Sequence, residues 1–287
     1  MTEILVTGAN GQLGSELQKL SGNFPYKFHF TDVDVLDITN TDSLAEYCKN
    51  LNISFIINCA AYTAVDKAES QTEKAYNINQ NAVKNLVNLA KTKNAALIHI
   101  STDYVFDGSA NVPYREDAQV NPQSAYGKTK LEGEKEALKY DKSIIIRTSW
   151  LYSTFGNNIV KTILKLSKER SELKFVFDQV GTPTYAEDLA KAIYSIIEKA
   201  EKEEIKTSIF HYSNEGVCSW FDVAWEILNY THSSCKVFPI ESGAYPLPAK
   251  RPSYSVLNKQ KIKDNFAIEI PYWKNSLYKC INELNKN

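Results

Sequence analysis

Tyr126 and Lys130 are the residues whose types and spacing best suit proton transfer. They lie four residues apart, so on a helix both side chains emerge on the same face. An isolated phenol has a pKa of about 10 and exchanges protons poorly at neutral pH, whereas a neighbouring ammonium favours the phenolate. Among the 17 tyrosines of the chain, only Tyr126 has a lysine four residues later. The spacing predicts a catalytic acid–base pair, with a surface pair as the alternative.

A third polar side chain, Thr102, follows the apolar run at 97–100. At the carboxyl end of a sheet strand, a hydroxyl can donate a hydrogen bond to a carbonyl oxygen on which negative charge develops. By itself such a hydroxyl is better explained as the cap of a turn. Beside a Tyr/Lys pair it instead predicts a group that polarises a ketone during reduction.

A glycine-rich turn begins directly after the apolar run at 4–6, and a predicted helix follows it. Its glycines stand at positions 8, 11 and 14. A strand, a glycine turn and a helix bring backbone N–H groups and a positive helix end together, where a pyrophosphate can bind. The candidate cofactor contacts in this turn are Gly8, Asn10, Gly11, Gln12, Leu13 and Gly14.

Asp32 ends the second apolar run, about 20 residues beyond the glycine turn, where dinucleotide folds place the acid that binds the adenosine ribose. We expect Asp37 and Ile38 beside the adenine. Ala60, Ala61, Tyr62 and Thr63 are expected to line the ribose and pyrophosphate. Since no Lys or Arg lies within 7–15 or 28–41 to pair with a 2′-phosphate, the sequence favours NADH over NADPH.

The elements that would position these residues alternate along the chain. Apolar runs at 4–6, 28–30, 55–57, 97–100 and 144–146 are separated by segments with helical periodicity at 12–20, 41–49, 73–92 and 125–140. This pattern predicts an α/β fold, a doubly wound parallel (Rossmann) sheet with its ligand crevice at the carboxyl ends of the strands. We expect residues 1–150 and 173–215 to form the dinucleotide-binding domain. Residues 151–172 and 216–287 should form a smaller, discontinuous α/β substrate-binding lobe.

Composition excludes several classes of partner. The 287 residues are 43% hydrophobic and carry a net charge of −1, which argues against nucleic acid or an anionic membrane as a partner. The five cysteines are scattered and include no C-x-x-C pair, which argues against a disulfide framework or a thiolate zinc site. These features predict a cytoplasmic protein.

Several of these motifs together resemble the extended short-chain dehydrogenase/reductase family: Thr-Gly-x-x-Gly-x-x-Gly at 7–14, Asn79, Thr102 and Tyr126-x-x-x-Lys130. Blocks at 58–69, 101–106, 147–152, 156–158, 178–184 and 251–252 are similar to one subfamily of sugar-nucleotide reductases. The resemblance implies reduction of the C4 ketone of dTDP-4-dehydro-L-rhamnose by NADH or NADPH, the last step of dTDP-L-rhamnose synthesis.

The resemblance also implies roles for single residues. Tyr126 would give a proton to the carbonyl oxygen, while Lys130 would hold the nicotinamide ribose and lower the phenol pKa. Thr102 would polarise the ketone, and Asn79 would support the proton relay. The residues implied to contact the substrate are Thr102, Asp103, Tyr104, Trp150 and Arg251.

Some members of this family form homodimers through Mg²⁺ held by three carboxylates per subunit. The matching positions here are Glu16, Glu187 and Glu283, all acidic. The resemblance therefore implies a Mg²⁺ site at the interface of a homodimer. Three acids on surface helices also occur together by chance, and this alternative stays open.

Other functions compete with this interpretation. A 4,6-dehydratase needs an Asp-Glu pair after the strand-end threonine, but here Asp103 is followed by Tyr104. A 4-epimerase uses the same Thr, Tyr and Lys, although the blocks at 150 and 178–184 disfavour it. Another 4-ketosugar-nucleotide reductase, such as a talose-forming one, would share every catalytic residue. A non-catalytic NAD(P)-binding regulatory subunit is the alternative outside enzymes.

Overall fold

The computed structural model describes residues 1–203 and 206–286. Its strands are β1 (Glu3–Thr7), β2 (Lys27–Thr31), β3 (Ile53–Asn58), β4 (Ala96–Thr102), β5 (Ser143–Thr148), β6 (Leu151–Tyr152), β7 (Glu172–Val176), β8 (Val180–Gly181), β9 (Thr184–Tyr185), β10 (Ser208–His211), β11 (Cys218–Ser219) and β12 (Lys236–Ile240). Its α-helices are α1 (Gln12–Leu20), α2 (Thr41–Cys48), α3 (Val65–Ala68), α4 (Thr72–Tyr76), α5 (Ala82–Lys93), α6 (Ala125–Ala137), α7 (Ile159–Glu169), α8 (Ala186–Ala200), α9 (Trp220–Tyr230), α10 (Gln260–Phe266) and α11 (Trp273–Leu284).

Six strands form one parallel sheet in the order β10–β5–β4–β3–β1–β2. Because β1 lies between β2 and β3, the chain winds away from β1 in both directions. Such a reversal opens a crevice at the carboxyl ends of the two central strands, which is where ligands of doubly wound sheets bind. The predicted fold class is therefore confirmed.

The sheet is apolar on both faces because alternate residues of each strand point to opposite sides. Ile4 and Val6 of β1 pack with helices α1 and α8. Leu5, between them, packs with α2 and α5 on the other face. Parallel strands covered on both faces need continuous rather than alternating apolar runs, which is why these strands are readable in the sequence.

The smaller lobe has its own apolar core around the fully buried Trp273, formed by α7, α9 and α11. Strand β7 pairs with β12 in this lobe, and its Leu173 belongs to the same core. We expected the nucleotide domain to resume at residue 173. In the structure it resumes with α8, which packs on α1, and with β10, which pairs with β5. Strand β10 was not predicted because Ser208 and His211 flank only two apolar residues.

The segment predicted as one helix over 73–92 is interrupted by a π-helical turn over Asn77–Asn81. Helix α6 lies close against this turn, since a Cβ on Gly133 would lie 2.1 Å from the carbonyl oxygen of Asn79. Single π turns inside helices are frequent at functional sites. Among residues 1–203 and 206–286, no helix combines the length and the apolar character needed to cross a membrane.

Candidate active site

Helix α6 places Tyr126 and Lys130 beside the end of β4. The helix begins at Ser124, whose Oγ accepts a hydrogen bond of 3.1 Å from the N–H of Gly127, a standard N-cap. A Cβ on Gly127 would lie 2.3 Å from the carbonyl oxygen of Tyr104. Only glycine lets the helix lie this close to the turn that follows β4, so Gly127 brings the Tyr/Lys pair against Thr102.

Tyr126 is half-buried, and its ring lies edge-on to that of Tyr104 with 5.5 Å between centroids. Burial raises the pKa of the Tyr126 phenol above its ordinary value, and interaction with the Thr102 hydroxyl opposes this rise only in part. The phenol is therefore protonated at neutral pH. A protonated phenol is the form that can give a proton to a carbonyl oxygen.

We expected the Lys130 ammonium to lower the pKa of Tyr126, but the contacts that Lys130 makes in the structure are different. The lysine is 2% exposed, and its Nζ donates a hydrogen bond of 2.6 Å to the carbonyl oxygen of Ile100. Burial lowers the pKa of Lys130 to about 8, although the charge of Glu134 opposes the shift. In this structure Lys130 is thus tied to the backbone of β4, and the pKa of Tyr126 is set mainly by burial and by the interaction with Thr102.

Thr102 and Asp103 form a buried pair at the carboxyl end of β4. The Thr102 hydroxyl donates to Asp103 Oδ1 at 3.0 Å and accepts from the N–H of Tyr104 at 3.2 Å. Burial raises the pKa of Asp103 to about 6, against the lowering effect of its hydrogen bonds. Asp103 therefore orients the hydroxyl that we expect to face a ketone.

Asn79 lies in the π turn with its side chain fully engaged by protein groups. Its Oδ1 accepts from the N–H of Tyr62 at 2.8 Å, and its Nδ2 donates to Tyr62 O at 3.2 Å and to Thr129 Oγ1 at 2.9 Å. These bonds join the segment after β3 to α6, which carries Tyr126. In this geometry Asn79 positions two parts of the site, whereas the resemblance implied a relay role.

The glycine turn forms a cradle for a phosphate. Gly8 has φ +68°, and a Cβ there would lie 2.6 Å from the backbone N of Ala60. A Cβ on Gly14 would lie 2.4 Å from the carbonyl oxygen of Gly8. Helix α1 begins after Gly11 without a side-chain cap, so its first N–H groups are available to an anion. The turn fits the pyrophosphate of a dinucleotide.

The remaining turn residues differ in their accessibility. The Leu13 side chain is buried in the core under the turn, so a contact of this residue with a cofactor would be made by its backbone N–H. Asn10 is exposed, and its N–H donates to Asp32 Oδ2 at 2.9 Å. Gln12 accepts from Asn158 Nδ2 at 3.1 Å through its Oε1 and donates to Leu151 O at 3.5 Å, which links the turn to the smaller lobe.

The predicted adenosine and ribose contacts follow β2 and β3, the two strands that flank β1. Asp32 Oδ1 accepts from the N–H of Val33 at 2.8 Å, so the carboxylate is held at the end of β2. Asp37 is exposed, while Ile38 is buried and its carbonyl accepts from Asn85. Ala60, Ala61, Tyr62 and Thr63 follow β3 as an irregular segment, with the first three half-buried and Thr63 exposed.

Arg251 connects the loop after β12 to the nucleotide domain. Its Nη2 donates to Asp66 Oδ2 at 2.8 Å and its Nη1 donates to Tyr104 OH at 3.2 Å. Asp66 Oδ1 also accepts from the N–H of Ala249 at 3.2 Å. These bonds bring Arg251 and Tyr104, both expected to contact substrate, to the same side of the crevice as Tyr126.

The three glutamates expected to hold Mg²⁺ surround a lysine instead. Lys19 Nζ lies 2.8 Å from Glu283 Oε2, 3.1 Å from Glu187 Oε2 and 3.7 Å from Glu16 Oε2. Lys191 and Lys279 also contact Glu187, whose pKa is lowered to about 2 because these lysines outweigh its burial. Within the described ranges, no group of three or more acidic, His or Cys side chains could hold a metal ion. The cluster as folded suits an ammonium and not a divalent cation.

Sequence reasoning missed a buried ion pair under the site. Arg147 at the end of β5 donates two hydrogen bonds to Glu134 of α6, at 2.9 and 2.7 Å. Glu134 Oε1 also accepts from Ser101 at 2.5 Å. The sequence shows only that one charged residue lies in an apolar strand and another on a packed helix. It does not show that these two residues, 13 positions apart, pair with each other.

Comparison with known proteins places this geometry in a family. A family model described as RmlD substrate binding domain matches residues 1–286. A dTDP-4-dehydrorhamnose reductase from Aggregatibacter actinomycetemcomitans is 41% identical over 286 residues, covering 96% of this chain and 97% of that protein. The spore coat polysaccharide biosynthesis protein SpsK of Bacillus subtilis is 36% identical, covering 99% and 98%.

Solved structures agree with the sequence comparison. A dTDP-4-dehydrorhamnose reductase from Clostridium acetobutylicum superposes with a TM-score of 0.94 at 45% identity, covering 99% of this chain and 100% of that one. The Bacillus anthracis reductase in complex with NADP has a TM-score of 0.94 at 37% identity, with the same coverage. A UDP-glucose 4-epimerase at 18% identity shares the fold alone. Over residues 1–286, the chain belongs to the RmlD substrate binding domain family, and its relatives from Aggregatibacter actinomycetemcomitans, Clostridium acetobutylicum and Bacillus anthracis are named dTDP-4-dehydrorhamnose reductases.

Proposed function

We propose that this protein reduces the C4 ketone of dTDP-4-dehydro-L-rhamnose to dTDP-L-rhamnose with a reduced nicotinamide coenzyme. The reaction is the last step of dTDP-rhamnose synthesis. One observation carries the proposal: a protonated Tyr126 lies with Thr102 and Lys130 at the carboxyl edge of the sheet, in a chain of the RmlD family. A non-catalytic regulatory subunit would have no need to retain this arrangement.

In the proposed mechanism, Tyr126 gives its proton to the C4 carbonyl oxygen as negative charge develops there. When bound, the reduced nicotinamide supplies the hydride. The half-buried phenol keeps its proton at neutral pH because burial raises its pKa. Loss of the proton is favoured only when a developing alkoxide competes for it, which confines the transfer to the transition state.

Thr102 and Lys130 stabilise the same charge from two sides. The Thr102 hydroxyl is held at the end of β4 by Asp103 and by the N–H of Tyr104, and we propose that its single O–H turns from Asp103 to the ketone oxygen when the substrate binds. Lys130 is a buried cation on the same helix as Tyr126, and we propose that its charge supports the developing alkoxide. Its hydrogen bond to Ile100 fixes the ammonium in place before the substrate arrives, so little reorganisation is needed during the reaction.

We propose that the dinucleotide lies across the switch point, with its pyrophosphate on Gly8–Gly14 and its adenosine ribose on Asp32. A carboxylate at this position accepts from ribose hydroxyls and repels a 2′-phosphate. The preference for NADH over NADPH rests on Asp32 and on the absence of Lys or Arg from 7–15 and 28–41. The Bacillus anthracis relative is described with NADP, so the preference of this chain has to be measured with both coenzymes.

We also propose a two-lobe division for substrate binding. Residues 1–150 with α8 and β10 would bind the dinucleotide, and 151–176 with 216–286 would bind the sugar nucleotide. The pairing of β7 with β12 and of β10 with β5 supports these limits. The crevice lined by Tyr126, Tyr104 and Arg251 would then hold the substrate.

The first experiment is oxidation of NADH and of NADPH, followed by absorbance with enzymatically prepared dTDP-4-dehydro-L-rhamnose. We expect turnover with both coenzymes and a higher kcat/KM with NADH. NMR of the product should identify dTDP-L-rhamnose. If NMR instead identifies a C4 epimer such as a dTDP-talose, the class of reaction is the one proposed and the stereochemistry at C4 is different. Binding of both coenzymes without oxidation would contradict the proposal and favour a regulatory subunit.

We propose further that turnover needs no divalent cation, because Lys19, Lys191 and Lys279 together balance the charge of the three glutamates. Burial opposes the charge of Lys19, yet hydrogen bonds to Glu283 and Glu187 raise its pKa, so the ammonium persists at neutral pH. Mg²⁺ requires about six oxygen ligands at roughly 2.1 Å and would have to displace it. We expect equal turnover and equal sedimentation mass in excess EDTA and in excess MgCl₂. Mg²⁺-dependent dimerisation would contradict this.

A further inference from the structure

We infer that Trp220 is a positioning residue that, together with Gly181, fixes the indole of Trp150 as one wall of the sugar-nucleotide site. The inference rests on the proposed function only in assigning Trp150 to the substrate. Trp220 lies in the smaller lobe, 70 residues from Trp150, and no spacing in the sequence connects them. Their contact exists only in the folded chain.

The two indoles stack closely. Their ring centroids are 3.7 Å apart and their planes differ by 12°, which is the parallel arrangement of an aromatic pair. Both rings are half-buried. Trp220 is the first residue of α9, and Ser219 and Asp222 form a reciprocal capping box around that helix start. The capping box fixes the backbone conformation from which the Trp220 side chain extends.

Gly181 confines the same indole on the β8 strand. A Cβ at this position would lie 2.8 Å from two ring carbons of Trp150, so no other residue leaves room for the ring as it stands. Gly181 pairs with Cys218 in the short β8–β11 ladder, and β11 leads directly into Trp220. One two-stranded ribbon therefore carries both residues that hold Trp150.

The backbone of Trp150 needs such support. Its φ is +48°, in the left-handed region that bulky residues avoid. The Trp150 carbonyl accepts from the N–H of Thr184 at 3.1 Å, which fixes the chain as it enters β6. A residue held in a disfavoured conformation by its surroundings is a recurrent feature of binding sites.

The strand register brings this indole to the reaction centre. Thr102 of β4 is paired with Thr148 of β5, and Trp150 is the second residue after Thr148. Trp150 thus follows the strand end that adjoins Thr102. A flat aromatic wall at this place suits the apolar face of a pyranose ring and would set which face of the sugar turns toward Tyr126.

The test is Trp220→Ala in the full-length protein with dTDP-4-dehydro-L-rhamnose. Loss of one stacking partner should raise KM for the sugar nucleotide about tenfold, while NADH affinity stays unchanged and kcat falls less. Trp220→Phe keeps an aromatic ring and should recover most of the affinity. Trp225→Ala is the matched control, since Trp225 lies on the same helix and is 49% exposed.

Far-ultraviolet circular dichroism gives a readout independent of activity. Closely stacked indoles couple, so wild type should show an exciton couplet that both Trp220→Ala and Trp150→Ala abolish and Trp225→Ala retains. Unchanged KM in Trp220→Ala, with the couplet lost, would overturn the inference. If the wild-type protein shows no turnover, the proposed function is contradicted. Loss of the couplet in both single variants would in that case still support the stacked geometry.

Discussion

Tyr126→Phe is expected to lower turnover of dTDP-4-dehydro-L-rhamnose by about 10² or more, the scale for losing general acid catalysis. The substitution removes one hydroxyl and keeps the ring that packs edge-on against Tyr104. NADH should bind nearly as tightly as to wild type, because the glycine turn and Asp32 are unaffected. Single-turnover NADH oxidation gives the rate, and fluorescence titration gives the coenzyme affinity.

Tyr47→Phe is the matched control for this variant. Tyr47 lies in α2, half-buried against the core between the sheet and helices α2 and α5. Removing its hydroxyl should leave turnover within about twofold of wild type, because surface changes away from the site have small effects. Undiminished turnover in Tyr126→Phe would remove Tyr126 from the mechanism. Equal losses in both variants would indicate a general effect on the fold.

Glu134→Gln is expected to lower the free energy of unfolding by about 3 kcal/mol or more. Arg147 and Glu134 have side chains only 3% and 1% exposed, 2.7 Å apart. Removing the negative charge leaves the guanidinium buried without a counter-ion, and a buried charge without a partner is strongly destabilising. Urea unfolding at pH 7, followed by circular dichroism, measures the difference.

The control is Glu132→Gln on the same helix. Glu132 pairs with Lys135 at 2.6 Å, but these side chains are 32% and 56% exposed. Solvent screens such pairs, so the loss should stay below about 1 kcal/mol. If Glu134→Gln costs no more than Glu132→Gln, the buried pair does not hold β5 against α6, and Thr102 and Lys130 must owe their relative placement to the apolar packing alone.

The sequence by itself determined the features that depend on local spacing. Continuous apolar runs identified five of the six sheet strands because a strand buried on both faces cannot alternate. The glycine turn was readable because each glycine serves a backbone conformation or a close approach set by its own neighbours. The four-residue spacing of Tyr126 and Lys130 placed them on one helix face for the same reason, since a helix repeats every 3.6 residues or so.

Tertiary structure decided what depends on burial and on partners distant in the sequence. The raised pKa of Tyr126 and the lowered pKa of Lys130 follow from desolvation, which no local pattern contains. The bond from Lys130 to Ile100 and the ammonium of Lys19 among three glutamates replaced the partners that spacing and resemblance implied. Strand β7 belongs to the smaller lobe because it pairs with β12, which begins 60 residues after β7 ends. A local pattern cannot show such a pairing. The stack of Trp150 on Trp220 also depends on tertiary structure, because only folding brings these two distant residues into contact.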